Sequence, residues 1–150
     1  MNKQLPDKWI RKAIYKAINN IAVLNEVTNQ TIEIPCFDTR VPTNNEKHHY
    51  VLMTSQTNNV NKANKCEYIW ESSITLDVIT YFIGAGNTGS RLLADNILDE
   101  IRLLTNNISL EASSGLKVFS QIQSFPNDLA TITKNENIFR KFIKIDLVII

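Results

Sequence analysis

Residues 66–83, CEYIWESSITLDVITYFI, alternate apolar and polar side chains along most of their length. The apolar side chains fall on one face, namely Tyr68, Trp70, Ile74, Leu76, Val78 and Phe82. The polar ones fall on the other, namely Glu67, Glu71, Ser73, Thr75 and Asp77. A period of two over this many residues predicts a long antiparallel strand, with one face on the core and the other toward solvent.

Two amphipathic helices flank this strand in the sequence. Apolar residues at helical spacing between Trp9 and Ile21 predict a first helix over residues 7–24, with Asp7 available to cap its start. A second helix is predicted over residues 90–105. Its predicted core-facing residues are Leu93, Ile97, Ile101 and Leu104.

The remaining predicted strands cover residues 49–57, 116–125, 129–133 and 138–150. The proline-flanked segment 35–42 is at best an edge strand. With no internal repeat or linker, the chain reads as one α+β domain, in which an antiparallel sheet with a long hairpin is packed by two helices. The last strand ends in four apolar residues, Leu147 to Ile150, so we expect other elements or another subunit to cover it.

The tip of the hairpin is a polar arm. A hairpin that extends beyond its sheet exposes backbone edges to a neighbouring chain, which makes this arm a candidate contact with another subunit. Its candidate contact residues are Asn58, Asn59, Asn61, Lys62, Asn64 and Lys65.

The composition is that of an ordinary globular protein, with 43% hydrophobic and 21% charged residues and a formal net charge of +1. That charge does not indicate a general nucleic-acid-binding surface. The two cysteines, Cys36 and Cys66, are too sparse for a disulfide framework and are expected to be free thiols in a reducing compartment. With no signal-peptide or membrane-span pattern, a soluble protein is expected.

Residues 84–89, GAGNTG, match the G-x-G-x-x-G fingerprint of dinucleotide-binding turns. That turn normally follows a buried parallel strand, whereas the strand before Gly84 is amphipathic. The acidic residue expected about 20 positions later at a strand end is also missing, since Glu111 lies in a predicted loop. We therefore interpret Gly84–Gly89 as a flexible turn between strand and helix.

Other candidate chemical groups do not form a recognisable site. His48 and His49, taken with the two cysteines, match no compact zinc spacing and are expected to face solvent. Asp95, Asp99 and Glu100 fit the solvated face of the second helix, where Asp99 and Arg102 are spaced to pair. The sequence therefore predicts no metal site, no cofactor and no catalytic activity.

A basic stripe, Lys8, Lys12 and Lys16, lies one helical turn apart on the first helix. Its simplest interpretation is a solvated helix face. The alternative is a surface for an acidic partner or for nucleic acid, to which it offers phosphate contacts without sequence readout.

The order of elements from the helix around Trp9–Ile21 to the strand 139–148 resembles one family over nearly the whole chain. It is carried by FDTRVP (37–42), YVL (50–52), SITLDVITY (73–81) with its glycine-containing turn, and RLLADNILDEI (91–101). The chain resembles the phage tail terminator (tail completion) family and related head–tail neck proteins.

This resemblance implies a non-catalytic virion protein, made in the host cytoplasm. It would form a homo-oligomeric ring at the head–tail neck and join connector, portal or tail proteins, with DNA possible in the channel. The hairpin arm would then contact neighbouring subunits or the adjoining ring. Two alternatives remain open, a non-viral α+β adaptor and a nucleotide-binding protein using Gly84–Gly89.

Overall fold

A computed structural model describes residues 4–26, 28–45, 48–64, 67–83 and 91–150, without the side chains of 45, 61–64 and 67. The helices are α1 (Asp7–Ile18) and α2 (Arg91–Leu104). The strands are β1 (Ile21–Asn25), β2 (Gln30–Ile34), β3 (Cys36–Asp38), β4 (Tyr50–Asn64), β5 (Glu67–Ile83), β6 (Val118–Ser124), β7 (Leu129–Ile132) and β8 (Glu136–Ile149). The predicted α+β class is confirmed.

The main sheet has the order β3-β4-β5-β8-β6, and β7 pairs with the remaining length of β8 beside β6. Every pairing in it is antiparallel except β3 with β4, which is parallel. The β4–β5 hairpin is paired up to Asn64 and Glu67, so the predicted arm continues the two strands. The apolar end of β8 lies between β5 and β6, which cover it as expected.

Both helices and the β1–β2 hairpin enclose the core. On α1 the buried residues are Trp9, Ile10, Ile14 and Ile18, and on α2 they are Leu93, Ala94, Ile97 and Ile101. They pack with the alternate residues of β5 and β8, including Ile74, Leu76, Ile143 and Ile145. Leu104, predicted to face the core, is instead 41% exposed because α2 ends there.

The first helix is shorter than predicted. It ends at Ile18, Asn19 is extended, and Asn20 has a φ of 55°, in the left-handed region that asparagine tolerates. The next residues form β1, in which Ile21 and Val23 pair with Ile34 and Ile32 of β2. The apolar residues therefore continue from α1 into β1. Because residues of both elements are buried in the same core, the sequence shows no break between the helical and the strand spacing.

The start of α1 also differs from the expectation. The capping position is occupied by Pro6, without a side-chain cap, and Asp7 is the first helical residue. A carboxylate in the first helical turn still interacts favourably with the helix dipole.

Candidate interaction surfaces

The main sheet has one face under the helices and a second face that no described helix covers. Alternation along the paired strands places on this open face Glu71, Ser73, Thr75, Asp77, Ile79 and Tyr81 of β5. From β8 it places Ile138, Arg140, Phe142, Lys144, Asp146 and Val148 there. The polar side of the 66–83 pattern thus lies on the uncovered face, as the alternation predicts.

An ion pair lies near the centre of the open face. Arg140 Nη2 donates to Asp77 Oδ2 at 2.5 Å, and the Arg140 guanidinium lies 5.3 Å from the Phe142 ring centre. The side chain of Asp77 is only 1% exposed, whereas that of Arg140 is 39% exposed. Asp77 was expected on a solvated face, and that detail is wrong because its larger neighbours on β4 and β8 cover it.

Burial and the ion pair act on the Asp77 carboxyl in opposite directions. Burial disfavours the charged form and raises the pKa of Asp77, while the hydrogen bond and charge of Arg140 lower it, and burial is the larger effect. The same hydrogen bond raises the pKa of Arg140. The Arg140 guanidinium therefore stabilises the charged form of the Asp77 carboxyl, which is poorly solvated.

A shallow polar groove of about 360 Å³ lies on the other half of the open face. Thr57 and Asn59 of β4, Glu71 of β5 and Lys144 of β8 are among its lining residues. The Thr57 and Ser73 hydroxyls are 2.6 Å apart across the hairpin. Ile122, Leu147 and Val148 also line the groove, which is open to solvent and lacks the enclosed shape of a small-molecule pocket.

The two histidines differ in their exposure. His49 Nδ1 accepts a hydrogen bond from the backbone N–H of Tyr81 at 3.1 Å, and its ring centre lies 5.1 Å from that of Phe82. Burial, and secondarily the charge of His48, lowers the pKa of His49. His49 is thus half-buried, which corrects the expectation that it faces solvent, although His48 is exposed.

The described cysteine is in the core. Cys36 is 2% exposed, and burial, followed by the charge of Asp38, raises the pKa of its thiol to about 12. Cys66 lies outside the described residues. Among the residues the structure describes, no three His, Cys, Asp or Glu side chains are grouped to hold a metal ion.

The basic stripe on α1 is exposed to solvent at Lys8, Lys12 and Lys16. The ammonium groups of Lys8 and Lys12 lie 4.6 and 4.9 Å from the centre of the Trp9 ring. The neighbouring Arg11 pairs with Asp38 at 3.7 Å. The stripe is therefore a solvated helix face that has charge available for a partner.

Only part of the predicted arm is described in full. The hydroxyl of Ser72 donates to Asn58 Oδ1, while Asn59 is exposed on the open face. For Asn61, Lys62 and Asn64 only the backbone is described, as part of β4. Lys65 lies outside the described residues, so the contact role of the arm stays a prediction.

One carboxylate of α2, that of Asp95, connects the helix to the sheet. Lys141 of β8 binds Asp95 and lies 3.3 Å from Asp128, in the loop between β6 and β7. Asp128 also lies 3.9 Å from Arg91. Asp99 pairs with Arg102 at 3.8 Å, as its spacing predicted. The Lys141 contacts were missed because sequence spacing does not show which strand lies beneath a helix.

The fingerprint Gly84–Gly89 lies outside the described residues, but the strand before it is informative. β5 pairs antiparallel with both of its neighbours, β4 and β8. A dinucleotide-binding turn follows a parallel strand of a βαβ unit, and β5 is not part of such a unit. This topology supports the interpretation of Gly84–Gly89 as a connecting turn.

Comparison with known proteins identifies a structural likeness over nearly the whole chain. No protein-family model matches the sequence, and no curated protein matches it. Fourteen chains of solved structures match. One belongs to the virion of the native gene transfer agent (GTA) particle, with a TM-score of 0.58, 14% identity, and coverage of 95% of this chain and 96% of that chain.

This likeness shows that the two chains share a fold. At 14% identity the likeness lies in the architecture, over 95% of this chain and 96% of the other. Neither described helix is long and apolar enough to cross a membrane.

Proposed function

We propose that the chain is a structural protein of a bacteriophage virion. One observation carries this proposal, the end-to-end likeness to a chain from a virion particle. The open sheet face supports it, because a sheet face without a covering layer is available to a neighbouring subunit. In this proposal the protein acts by binding other virion proteins, without catalysing a reaction.

The more specific proposal is a homo-oligomeric ring at the head–tail neck, which terminates the tail or joins it to the connector. The order of elements resembles tail terminator and neck proteins, and the polar arm at the tip of β4–β5 offers a contact to the next subunit or the adjoining ring. A second role, as a non-viral adaptor, would use the same surfaces. Portal and tail-tube genes beside the coding gene would favour the virion role.

The ring is tested with the purified protein. Mass photometry at nanomolar concentration and negative-stain imaging at micromolar concentration should show one closed oligomer with rotational symmetry. Antibodies to the protein should label the neck of intact virions. A protein that stays monomeric at every concentration and is absent from virions would contradict the proposal.

DNA is proposed as a partner of the assembled ring through the basic stripe. Reversing Lys8 and Lys12 to Glu should weaken DNA binding by the assembled protein and lower its dependence on salt, because each lost phosphate contact removes counterion release. Reversing the exposed Arg40 and Lys134, which lie outside the stripe and outside β4 and β6, is the matched control. Equal effects of the two double variants would show that the stripe has no special role.

A further inference from the structure

The main sheet has a free backbone edge on each side. On one side, β3 covers only Val51 to Met53 of β4, which leaves residues 54–60 without a described partner strand. On the other side, β8 is the one described strand that pairs with β6. On β4, which continues to Asn64, the free edge includes TSQTNNV (54–60), and on β6 it is VFSQIQS (118–124).

The segments 54–60 and 118–124 lack two of the features that normally prevent a strand from pairing with another chain, although each strand has one register shift and Lys62 lies further along β4. Natural edge strands are protected by charged residues, by proline or by a covering element. Both seven-residue segments lack charge and proline. On β6, Phe119 is 73% exposed and Ile122 is 67% exposed, which is unfavourable unless a partner covers them.

The free hydrogen-bonding groups of β4 can be located from the pairing pattern. The backbone N–H of Val51 donates to the carbonyl of Pro35 on the β3 side. The N–H and C=O groups of Val51 therefore point away from β5. Backbone direction alternates along a strand, and the register shifts by one residue between Met53 and Gln56. Gln56, Asn58 and Val60 therefore present their N–H and C=O groups at the free edge.

The same reasoning applies to β6. Lys117 exchanges two backbone hydrogen bonds with Ile150, so Ile150 points toward β6. On β8 the backbone groups of every second residue point toward β6. These residues pair with Ser120, Ile122 and Ser124, whose own backbone groups therefore point toward β8. Gln121 and Gln123, which lie between them, therefore present their backbone groups outward.

The two edges match each other in direction and in face. Three antiparallel pairings separate β4 from β6, so the two strands run in opposite directions. At both edges the residues with free backbone groups have side chains on the helix side of the sheet. In an antiparallel pair, opposite residues share a face, so joining these edges would keep the helices of two copies on one side.

We propose that β6 of one copy pairs antiparallel with β4 of the next, so that the main sheet continues from subunit to subunit. The contact joins two different surfaces on opposite sides of one molecule, and such head-to-tail contacts generate a ring when the rotation between copies closes. The occupant of each edge is a second copy of this chain. This inference rests on the proposed homo-oligomer and specifies the contact that builds it.

The first test places a charge at the β6 edge. Ile122→Lys should raise the apparent Kd of assembly at least about tenfold, because the lysine must be desolvated at the subunit contact. Leu24→Lys is the matched control, since Leu24 is 44% exposed but lies on β1, away from both edges. Mass photometry across a dilution series measures both variants, and circular dichroism checks that each is folded.

The second test identifies the partner edge by cross-linking in a Cys66→Ser background. Chains with Ile122→Cys, mixed with chains that carry Asn59→Cys, should form a disulfide-linked dimer under mild oxidation. Ile122→Cys alone should form none. Cross-linking of Ile122→Cys with itself would instead show a two-fold β6–β6 contact and overturn the proposal.

The outcomes separate this inference from the proposed ring. If the wild type assembles and Ile122→Lys assembles equally well, the edge contact is wrong while the ring stands. If the wild type assembles but no mixed cross-link forms, the edge contact is again wrong. A wild type that remains monomeric at all concentrations contradicts both the ring and the contact.

Discussion

The ion pair between Arg140 and Asp77 offers a sharp test of the structure. Replacing Arg140 with Met removes the guanidinium but keeps much of the apolar stem over the sheet. It leaves the Asp77 carboxylate, which is 1% exposed, without its charged partner. Removing one member of a buried ion pair destabilises a protein by about 3–5 kcal/mol.

The structure places the expected loss at the lower end of that range. Arg140 is 39% exposed, so its truncation opens a path for water toward Asp77. We therefore expect a loss of about 3 kcal/mol near neutral pH, which corresponds to a fall in Tm of about 6–12 °C for a domain of this size. The exposed Asp99–Arg102 pair gives the control, since Arg102→Met should cost less than about 1 kcal/mol.

The loss should depend on pH with a definite sign. Burial raises the pKa of Asp77, and Arg140 opposes that rise, so its removal raises the pKa further. A folded state with a raised carboxyl pKa binds the proton more tightly than the unfolded state. The variant therefore regains stability as pH falls below the raised pKa, and the loss is largest above it.

Urea unfolding followed by circular dichroism at pH 5 and pH 8 measures this difference, at one protein concentration because assembly contributes to stability. The double variant Asp77→Leu with Arg140→Met should recover most of the loss, since a buried pair replaced by apolar groups is often neutral. A loss below about 1 kcal/mol at pH 8 would refute the buried pair. A loss of equal size at pH 8, at pH 5 and at every lower pH where the protein remains folded would refute the role of the Asp77 charge.

Two further predictions concern the core. Ile97→Ala, at a fully buried position of α2, should cost about 2–5 kcal/mol in urea unfolding, whereas Leu103→Ala, at a 60% exposed position, should change stability by less than about 0.5 kcal/mol; equal losses would show that α2 packs through another face. Cys36, with its pKa raised to about 12, should react with a thiol reagent at pH 8 only after unfolding in a Cys66→Ser background, and rapid labelling of the native protein would contradict its burial.

Local sequence patterns were enough to predict the long strand β5, the helix α2 and the final strand β8. Each depends on a periodicity that burial imposes along one continuous element. The alternation in 66–83 and the spacing of Leu93, Ile97 and Ile101 record which side of the chain meets the core. The sequence also showed that Gly84–Gly89 lacks the surroundings of a dinucleotide-binding turn, because the strand before it has a polar face.

Other features depended on partners far away in sequence. α1 ends at Ile18 because the following residues pair with β2, and a helical stripe that runs into a buried strand shows no break. Asp77 is buried and pairs with Arg140, which follows 63 residues later and lies on the neighbouring strand. Neither the β1–β2 pairing nor the Asp77–Arg140 pair can be predicted from the spacing of neighbouring residues.

Some features of the candidate contact surfaces were likewise predicted from the sequence, and others required the tertiary structure. The sequence by itself determined a polar hairpin between long strands and a basic stripe on α1, because both follow from local composition and spacing. Only the tertiary structure decided which strands lie at the edges, since that depends on strand order and register across the whole sheet. The edge positions of β4 and β6 follow from that order, because β5 and β8 between them are paired on both sides.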